Sequence, residues 1–290
     1  MRDEDLTNAE LAAEISRLRE HLGGAGGEQP APGSASASGG AHASRVAPHA
    51  DPDPPHDRAE PRPSDWFGPG RLFEGALLIN LDSRPARLAR SISELERVGL
   101  AECVSRMPAF QHEHGMYGCS VSHVEAVRYA RWKGWRSLLI LEDDIKFSPG
   151  FVHDIALPLA ALAERDWGVF QFGFLKPGGI EPVTPDLFRF RCGAGAHAIA
   201  LHQRIFDFVI ERYVCELDRG NWAEAGHLPF DEYVNNYPAS EFEMYGSTKL
   251  LISQFPGRSD TRDEDVDYRE YLEDAYAAFD PPSRPKARED

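Results

Sequence analysis

Leu138 to Phe147 read LLILEDDIKF. Four aliphatic residues follow one another with no polar residue between them, and the run then meets Glu142, Asp143 and Asp144. A strand with one face in water alternates apolar and polar positions. An unbroken apolar run belongs instead to a strand covered on both faces, as in a parallel sheet between two helical layers. ALLINL, Ala76 to Leu81, has the same character. The carboxylates set the second constraint, because desolvating three of them side by side costs several kcal/mol apiece unless positive charge meets them.

The chain between these strands reads as two helices. The turn DSRP leads into a segment with Pro85 in its first turn, Leu88, Ile92 and Leu95 on one face, and Gly99 as its stop. A second helix is expected from Ser122, which forms an S-x-x-E capping box with Glu125, to Gly134. Strand, helix, helix, strand predicts a three-layer α/β domain with a mainly parallel sheet. Downstream, Phe151 to Ala163 reads as helical despite Pro158, and VFQFG as a strand. AHAIALH reads as a strand feeding the helix QRIFDFVIERYVCEL, and KLLISQF, Lys249 to Phe255, as the last strand.

This domain is expected over residues 66–262. Residues 1–22 carry Leu11, Ile15, Leu18 and Leu22 at helical spacing behind a Thr7–Glu10 capping box. So short a helix is marginal alone, and either frays or serves as a docking or self-association segment over residues 7–22. Residues 23–65 are rich in Gly, Pro, Ser and Ala, with almost no large apolar side chain to offset the entropy of ordering, and are expected to be a disordered linker. Residues 263–290 form a charged tail, with a helix expected at about 267–278.

A net charge of −16 argues against a nucleic-acid partner, since phosphate backbones are held by clustered Lys and Arg. No apolar run approaches the roughly 18 residues of a membrane span, and the start, MRDEDLTNAE, has neither the basic nor the apolar region of a secretory signal. A soluble, cytoplasmic protein is expected. Cys103, Cys119, Cys192 and Cys215 are widely spaced with no CxxC pair, so free thiols are expected.

In open α/β sheets ligands bind beyond the carboxyl ends of the strands, and the acidic triplet follows LLIL directly. Carboxylates at that place suit a hard divalent cation, Mn²⁺ or Mg²⁺, whose coordination water and phosphate oxygens complete. Such an ion, bridging a diphosphate, neutralises a nucleotide leaving group. An isolated EDD reads more readily as a solvated turn, so the neighbouring segments decide its meaning.

INLDSRPAR (Ile79 to Arg87), MPAF (Met107 to Phe110), GCSVSH (Gly118 to His123) and LILEDDI (Leu139 to Ile145) occur in that order, with weaker echoes in PFDEY (Pro229 to Tyr233) and RSDT (Arg258 to Thr261). In this ordered combination the chain resembles the family 25 glycosyltransferases, which include bacterial lipooligosaccharide galactosyltransferases and procollagen galactosyltransferases. The resemblance implies a GT-A-like fold, a divalent metal and a UDP-sugar donor. It implies that Glu142 and Asp144 bind the metal, with a late contact from Asp260, and that Asp143 faces the donor ribose or sugar. Asn80, Arg84, Arg87 and Ser122 would stand at the donor, the arginines against phosphate or uracil. His123 would lie beside the donor and Asp231 would be the base or acceptor-orienting group. For Ser122 and Asp231 a helix N-cap is an equally good reading. Cys119 and His123, four apart, could form a nucleophile pair, but a buried small hydrophobe explains Cys119 better. His112 to His114 read as a polar loop near the mouth of the site.

The resemblance further implies inverting transfer of a hexose, galactose by analogy, to a hydroxyl of a glycan, lipid-linked molecule, small molecule or protein. Lipopolysaccharide biosynthesis is one such setting. Two rivals stand beside it: a transferase fold degenerated into a glycan-binding or scaffold protein, and a metal-dependent phosphoester hydrolase using the same triplet.

Overall fold

A computed structural model describes residues 62–219, 228–259, 261 and 264–277. The N-terminal helix, residues 23–61 of the expected linker, and Asp260 lie outside the described residues; residues 62–65, expected to belong to that disordered linker, instead open the fold, with Pro63–Trp66 forming a 3-10 turn in which Pro63 is buried. The chain runs β1 (Gly75–Asn80), α1 (Pro85–Arg97), β2 (Ser105–Pro108), α2 (Gly115–Trp132), β3 (Ser137–Glu142), β4 (Ile145–Phe147), α3 (Phe151–Asp154) and α4 (Ala156–Ala163). Then follow β5 (Val169–Gln171), β6 (Leu175–Gly178), β7 (Glu181–Thr184), β8 (Leu187–Arg189), β9 (Cys192–Ala194) and β10 (Ala198–His202). The last part holds α5 (Gln203–Asp207), a π-helical turn Phe208–Tyr213, α6 (Val214–Arg219), α7 (Phe230–Asn236), β11 (Met244–Ser247), β12 (Ile252–Gln254), β13 (Gly257–Ser259), β14 (Glu264–Val266) and α8 (Arg269–Ala277).

The central sheet has the order β2-β1-β3-β10-β5-β11-β8-β7. β1 is parallel to both β2 and β3. β10 is antiparallel to β3 and to β5, so β5, and β11 parallel to it, run in the same direction as β1 to β3. Strand direction is therefore mainly parallel, as expected.

Side-chain alternation builds the two outer layers. Leu77, Ile79, Leu138 and Ile140 fall on one face, against Val124 and Val127 of α2 and Ile205 of α5. Ala76, Leu78, Leu139 and Leu141 fall on the other, against Leu95 of α1 and Leu159 and Leu162 of α4. Leu138 to Leu141 are fully buried, and each stabilises the fold by roughly 2 kcal/mol relative to exposure, which anchors the start of the acidic turn.

Helices α1 and α2 stop where expected. Gly99 and Gly134 adopt φ of +74° and +70°, and the N–H groups of Leu100 and Trp135 donate back to the carbonyls of Leu95 and Ala130 at 2.9 and 3.0 Å. Other boundaries correct the sequence reading. The buried face of α1 is Ser91 and Leu95, while Ile92 is 40% exposed, because the Ser91 hydroxyl donates to the Asp143 carbonyl at 2.8 Å. α2 begins at Gly115, so Ser122 is not a cap. Its hydroxyl lies mid-helix, donates to the Gly118 carbonyl at 2.7 Å and accepts from the Phe110 N–H at 2.8 Å. The expected helix over 151–163 is two, which puts Pro158 in the first turn of α4, where its missing N–H is harmless.

KLLISQF contributes only β12, paired with β4 outside the main sheet, and the sheet position goes to β11, whose short run the pattern reading passed over. The helix expected in the tail is α8, and its Leu272 and Tyr276 are buried. Among the described residues no helix is long and apolar enough to cross a membrane.

Candidate functional site

The carboxyl ends of β1 and β3 and the entry to antiparallel β10 meet at one end of the sheet, and a cavity of about 500 Å³ opens there. Glu142, Asp143 and Asp144 line it, as do Asn80, Arg84 and Arg87 from the β1–α1 connection. Ser122 and His123 of α2 and Asp231 of α7 complete the wall, so every described residue nominated from sequence lies on one cavity.

The three carboxylates meet three different fates. Asp143 is 7% exposed; it accepts from the Asn80 amide at 2.6 Å and pairs with Arg87 at 2.6 Å. Arg106 donates to the Asn80 side-chain oxygen at 3.0 Å and so sets which way that amide points. Asp144 shares the same guanidinium at 2.9 Å and accepts from Gln254 at 3.3 Å. Its carbonyl accepts from the Phe255 N–H at 2.7 Å, fastening β12 beneath the turn.

Among the described residues Glu142 has no such cationic partner. Its neighbours are His123 Nε2, 3.5 Å from Oε1, and the Cys119 thiol at 3.9 Å. Burial, then the carboxylates of Asp144, Asp231 and Asp143, push its pKa up to about 8 against the pull of Arg87. A position where a carboxylate prefers a proton near neutral pH is one where a cation is wanted. Glu142 and Asp144 line the same cavity, and the Asp144 carboxylate is the strongest-acting of the charges that raise Glu142.

His123 is 1% exposed and stacks on Phe230 with ring centroids 4.6 Å apart. Its Nδ1 lies 3.0 Å from the Cys119 carbonyl. Burial holds its pKa below the usual range, opposed by the Cys119 and Ala196 carbonyls and by Asp231. Burial likewise pushes the Cys119 thiol well up, reinforced by Glu142 and Asp231. Cys119, His123 and Glu142 offer ligand atoms that all lie within 4.8 Å of one another.

Asp231 is the second residue of α7, behind Pro229, and accepts from the Gly195 N–H at 2.9 Å. Gly195 sits at φ +102°, open to glycine and strained for other residues, and its carbonyl accepts from Asn235 at 2.9 Å and Gln171 at 2.8 Å. Asp231 thus ties α7 to the loop that enters β10 instead of capping its own helix. At the mouth, the rings of Phe110, His112 and Tyr117 cluster, those of His112 and Tyr117 with centroids 4.7 Å apart.

Sequence reasoning missed Arg106 and Gln254, which bond the side chains of Asn80 and Asp144, and Ser91 and Asn235, which bond the backbone carbonyls of Asp143 and Asp231. Arg106 stands next to the MPAF match, the one local signal; the others sit in stretches that read as ordinary helix or strand.

The chain matches no family model and no curated protein. Among solved structures it is similar to a mannose-1-phosphate geranyltransferase from Thermus thermophilus, at 12% identity and a TM-score of 0.37, over 60% of this chain and 73% of that one. It is similar to a glycosyltransferase involved in glycosylation of the major capsid of PBCV-1, at 13% identity and a TM-score of 0.40, over 65% of this chain and 95% of that one. A third, A197 from STIV, matches at 10% identity and a TM-score of 0.35, over 66% of this chain and 93% of that one.

Proposed function

We propose that the protein is a metal-dependent glycosyltransferase of the family 25 type, moving a hexose, galactose by analogy, from a UDP-sugar to an acceptor hydroxyl with inversion. The observation that supports this reading is the cavity at the ends of β1 and β3, where Glu142, which has no ion-paired Lys or Arg among the described residues, lines the same wall as Asp144, Arg84 and Arg87.

Each residue of the cavity has its own part in this chemistry. Glu142 and Asp144 would hold a divalent ion, Mn²⁺ or Mg²⁺, which when bound would supply positive charge to a diphosphate leaving group. Arg84 and Arg87, at the start of α1, meet the phosphates, with the N–H groups of that helix end adding to the positive field. Asp143, clamped by Asn80 and Arg87, orients the ribose or sugar. Asp231, held by the Gly195 N–H, takes the proton of the acceptor hydroxyl. His123 orients Glu142. The acceptor is a glycan, a lipid-linked saccharide or another hydroxyl-bearing molecule, as in cell-surface polysaccharide assembly.

Calorimetric titration of the full chain with UDP, with and without Mn²⁺, tests the reading. Wild type is expected to bind UDP in a Mn²⁺-dependent manner, and Asp144→Ala to bind it at least about 10-fold more weakly, a loss of about 1.4 kcal/mol. No UDP binding by wild type under either condition overturns the transferase assignment. Metal-dependent binding justifies a screen of donor sugars.

A further inference from the structure

The back wall of the cavity carries a second set of ligand types. Glu142 Oε1 has the imidazole of His123 at 3.5 Å and the thiol of Cys119 at 3.9 Å, and the three ligand atoms lie within 4.8 Å of one another. A carbonyl oxygen only accepts, so the Nδ1 that faces the Cys119 carbonyl at 3.0 Å carries the ring proton, and Nε2 presents its lone pair. That Nε2 is fully buried, makes no hydrogen bond among the described residues and points at Glu142. Its polar surroundings are the Glu142 carboxyl and the Ala196 carbonyl, neither of them in good hydrogen-bond geometry, so a lone pair buried there is open to an ion.

The spacing agrees with a tetrahedral ion. Bonds of about 2.3 Å to sulfur, 2.0–2.1 Å to imidazole nitrogen and 2.0–2.2 Å to carboxylate oxygen put the N–O edge at about 3.4 Å and the S–O edge at about 3.6 Å. The observed N–O and S–O distances of 3.5 and 3.9 Å need a few tenths of an ångström of contraction, while the Cys119 sulfur, now 3.7 Å from Nδ1, has to turn toward Nε2 to close the third edge. All three residues line the cavity, which leaves the fourth position to water or a ligand entering from it.

We propose that Cys119, His123 and Glu142 form a three-ligand site for a borderline-soft divalent ion of the Zn²⁺ type, distinct in its chemistry from the hard-ion pair Glu142 and Asp144. Thiolate and imidazole select Zn²⁺ or Co²⁺ over Mg²⁺. On binding, the Cys119 thiol proton goes to the buffer and the sulfur enters as thiolate. The two sets share Glu142, so an ion in this site withdraws that carboxylate from the other. The proposal needs no nucleotide and stands or falls apart from the transferase reading.

The test is a Co²⁺ titration of the full chain without nucleotide, in a background where Cys103, Cys192 and Cys215 are replaced by serine, followed by absorption. Wild type at the three positions is expected to give a near-ultraviolet sulfur-to-cobalt charge-transfer band with the intense visible bands of a four-coordinate ion, both removed by Zn²⁺. Cys119→Ser is expected to lose the near-ultraviolet band, and His123→Ala to bind Co²⁺ at least about 100-fold more weakly. Should the His123 variant fail to fold, the nearly isosteric Cys119→Ser decides alone, with circular dichroism as its folding control. Absence of the near-ultraviolet band in the starting protein, or its survival in Cys119→Ser, overturns the proposal. The band without UDP binding keeps this site and removes the transferase; UDP binding without the band does the reverse.

Discussion

Arg87 lies between Asp143 and Asp144, at 2.6 and 2.9 Å, and is mostly buried with them. Removing one partner of such a cluster costs more than the pair is worth, because the remaining charges stay buried without compensation. Arg87→Ala is therefore expected to lower stability by about 3 kcal/mol, read as a shift of the urea midpoint with unchanged slope. A loss below about 1 kcal/mol would mean that water solvates the carboxylates in the folded protein. Asn80 acts without charge. Its amide joins Arg106 to Asp143, residues 26 and 63 positions away in sequence, and holds that geometry whichever substrate the cavity takes.

The elements carry the site through close backbone approaches. Beyond β5 the chain passes under β12, and the N–H groups of Leu251 and Ile252 donate to the Phe172 carbonyl at 3.1 and 3.2 Å. A Cβ on Gly173 would stand 1.9 Å from the Ile252 carbonyl oxygen and 2.6 Å from His197 Nε2, itself bonded to that oxygen. Backbone cannot yield as a side-chain tip can. Gly173→Ala is expected to cost about 3 kcal/mol, the upper end of overpacking, and to loosen Gln254 from Asp144. Thermal unfolding gives the first effect and the UDP titration the second; a variant as stable as wild type would show that β12 moves freely. At Gly134, by contrast, only φ matters, and nothing stands within 4 Å of an added Cβ.

For the whole molecule, folding gathers carboxylates at the sheet end, and on the proposed reading the folded chain is expected to bind a cation more tightly than the unfolded one. Mn²⁺ at about 100 times its dissociation constant is expected to add about 2.7 kcal/mol of stability and raise the melting temperature, with the gain reduced in Glu142→Gln. An unchanged melting temperature would leave the cluster without its cation. The apolar runs of β1 and β3, the glycines that stop α1 and α2, and the carboxylates where β3 ends were legible in the sequence, because each depends on residues within one or two turns of itself. The start of α2, the exile of β12 from the main sheet, and the three fates of Glu142, Asp143 and Asp144 were not. Local pattern sufficed for a buried sheet ending in a carboxylate turn. That Arg87 and Asn80 serve Asp143, and that Glu142 has His123 and Cys119 as its neighbours, became visible in the folded chain. Those partners come from other elements, and which of them arrive is settled by packing across the sheet rather than by local pattern.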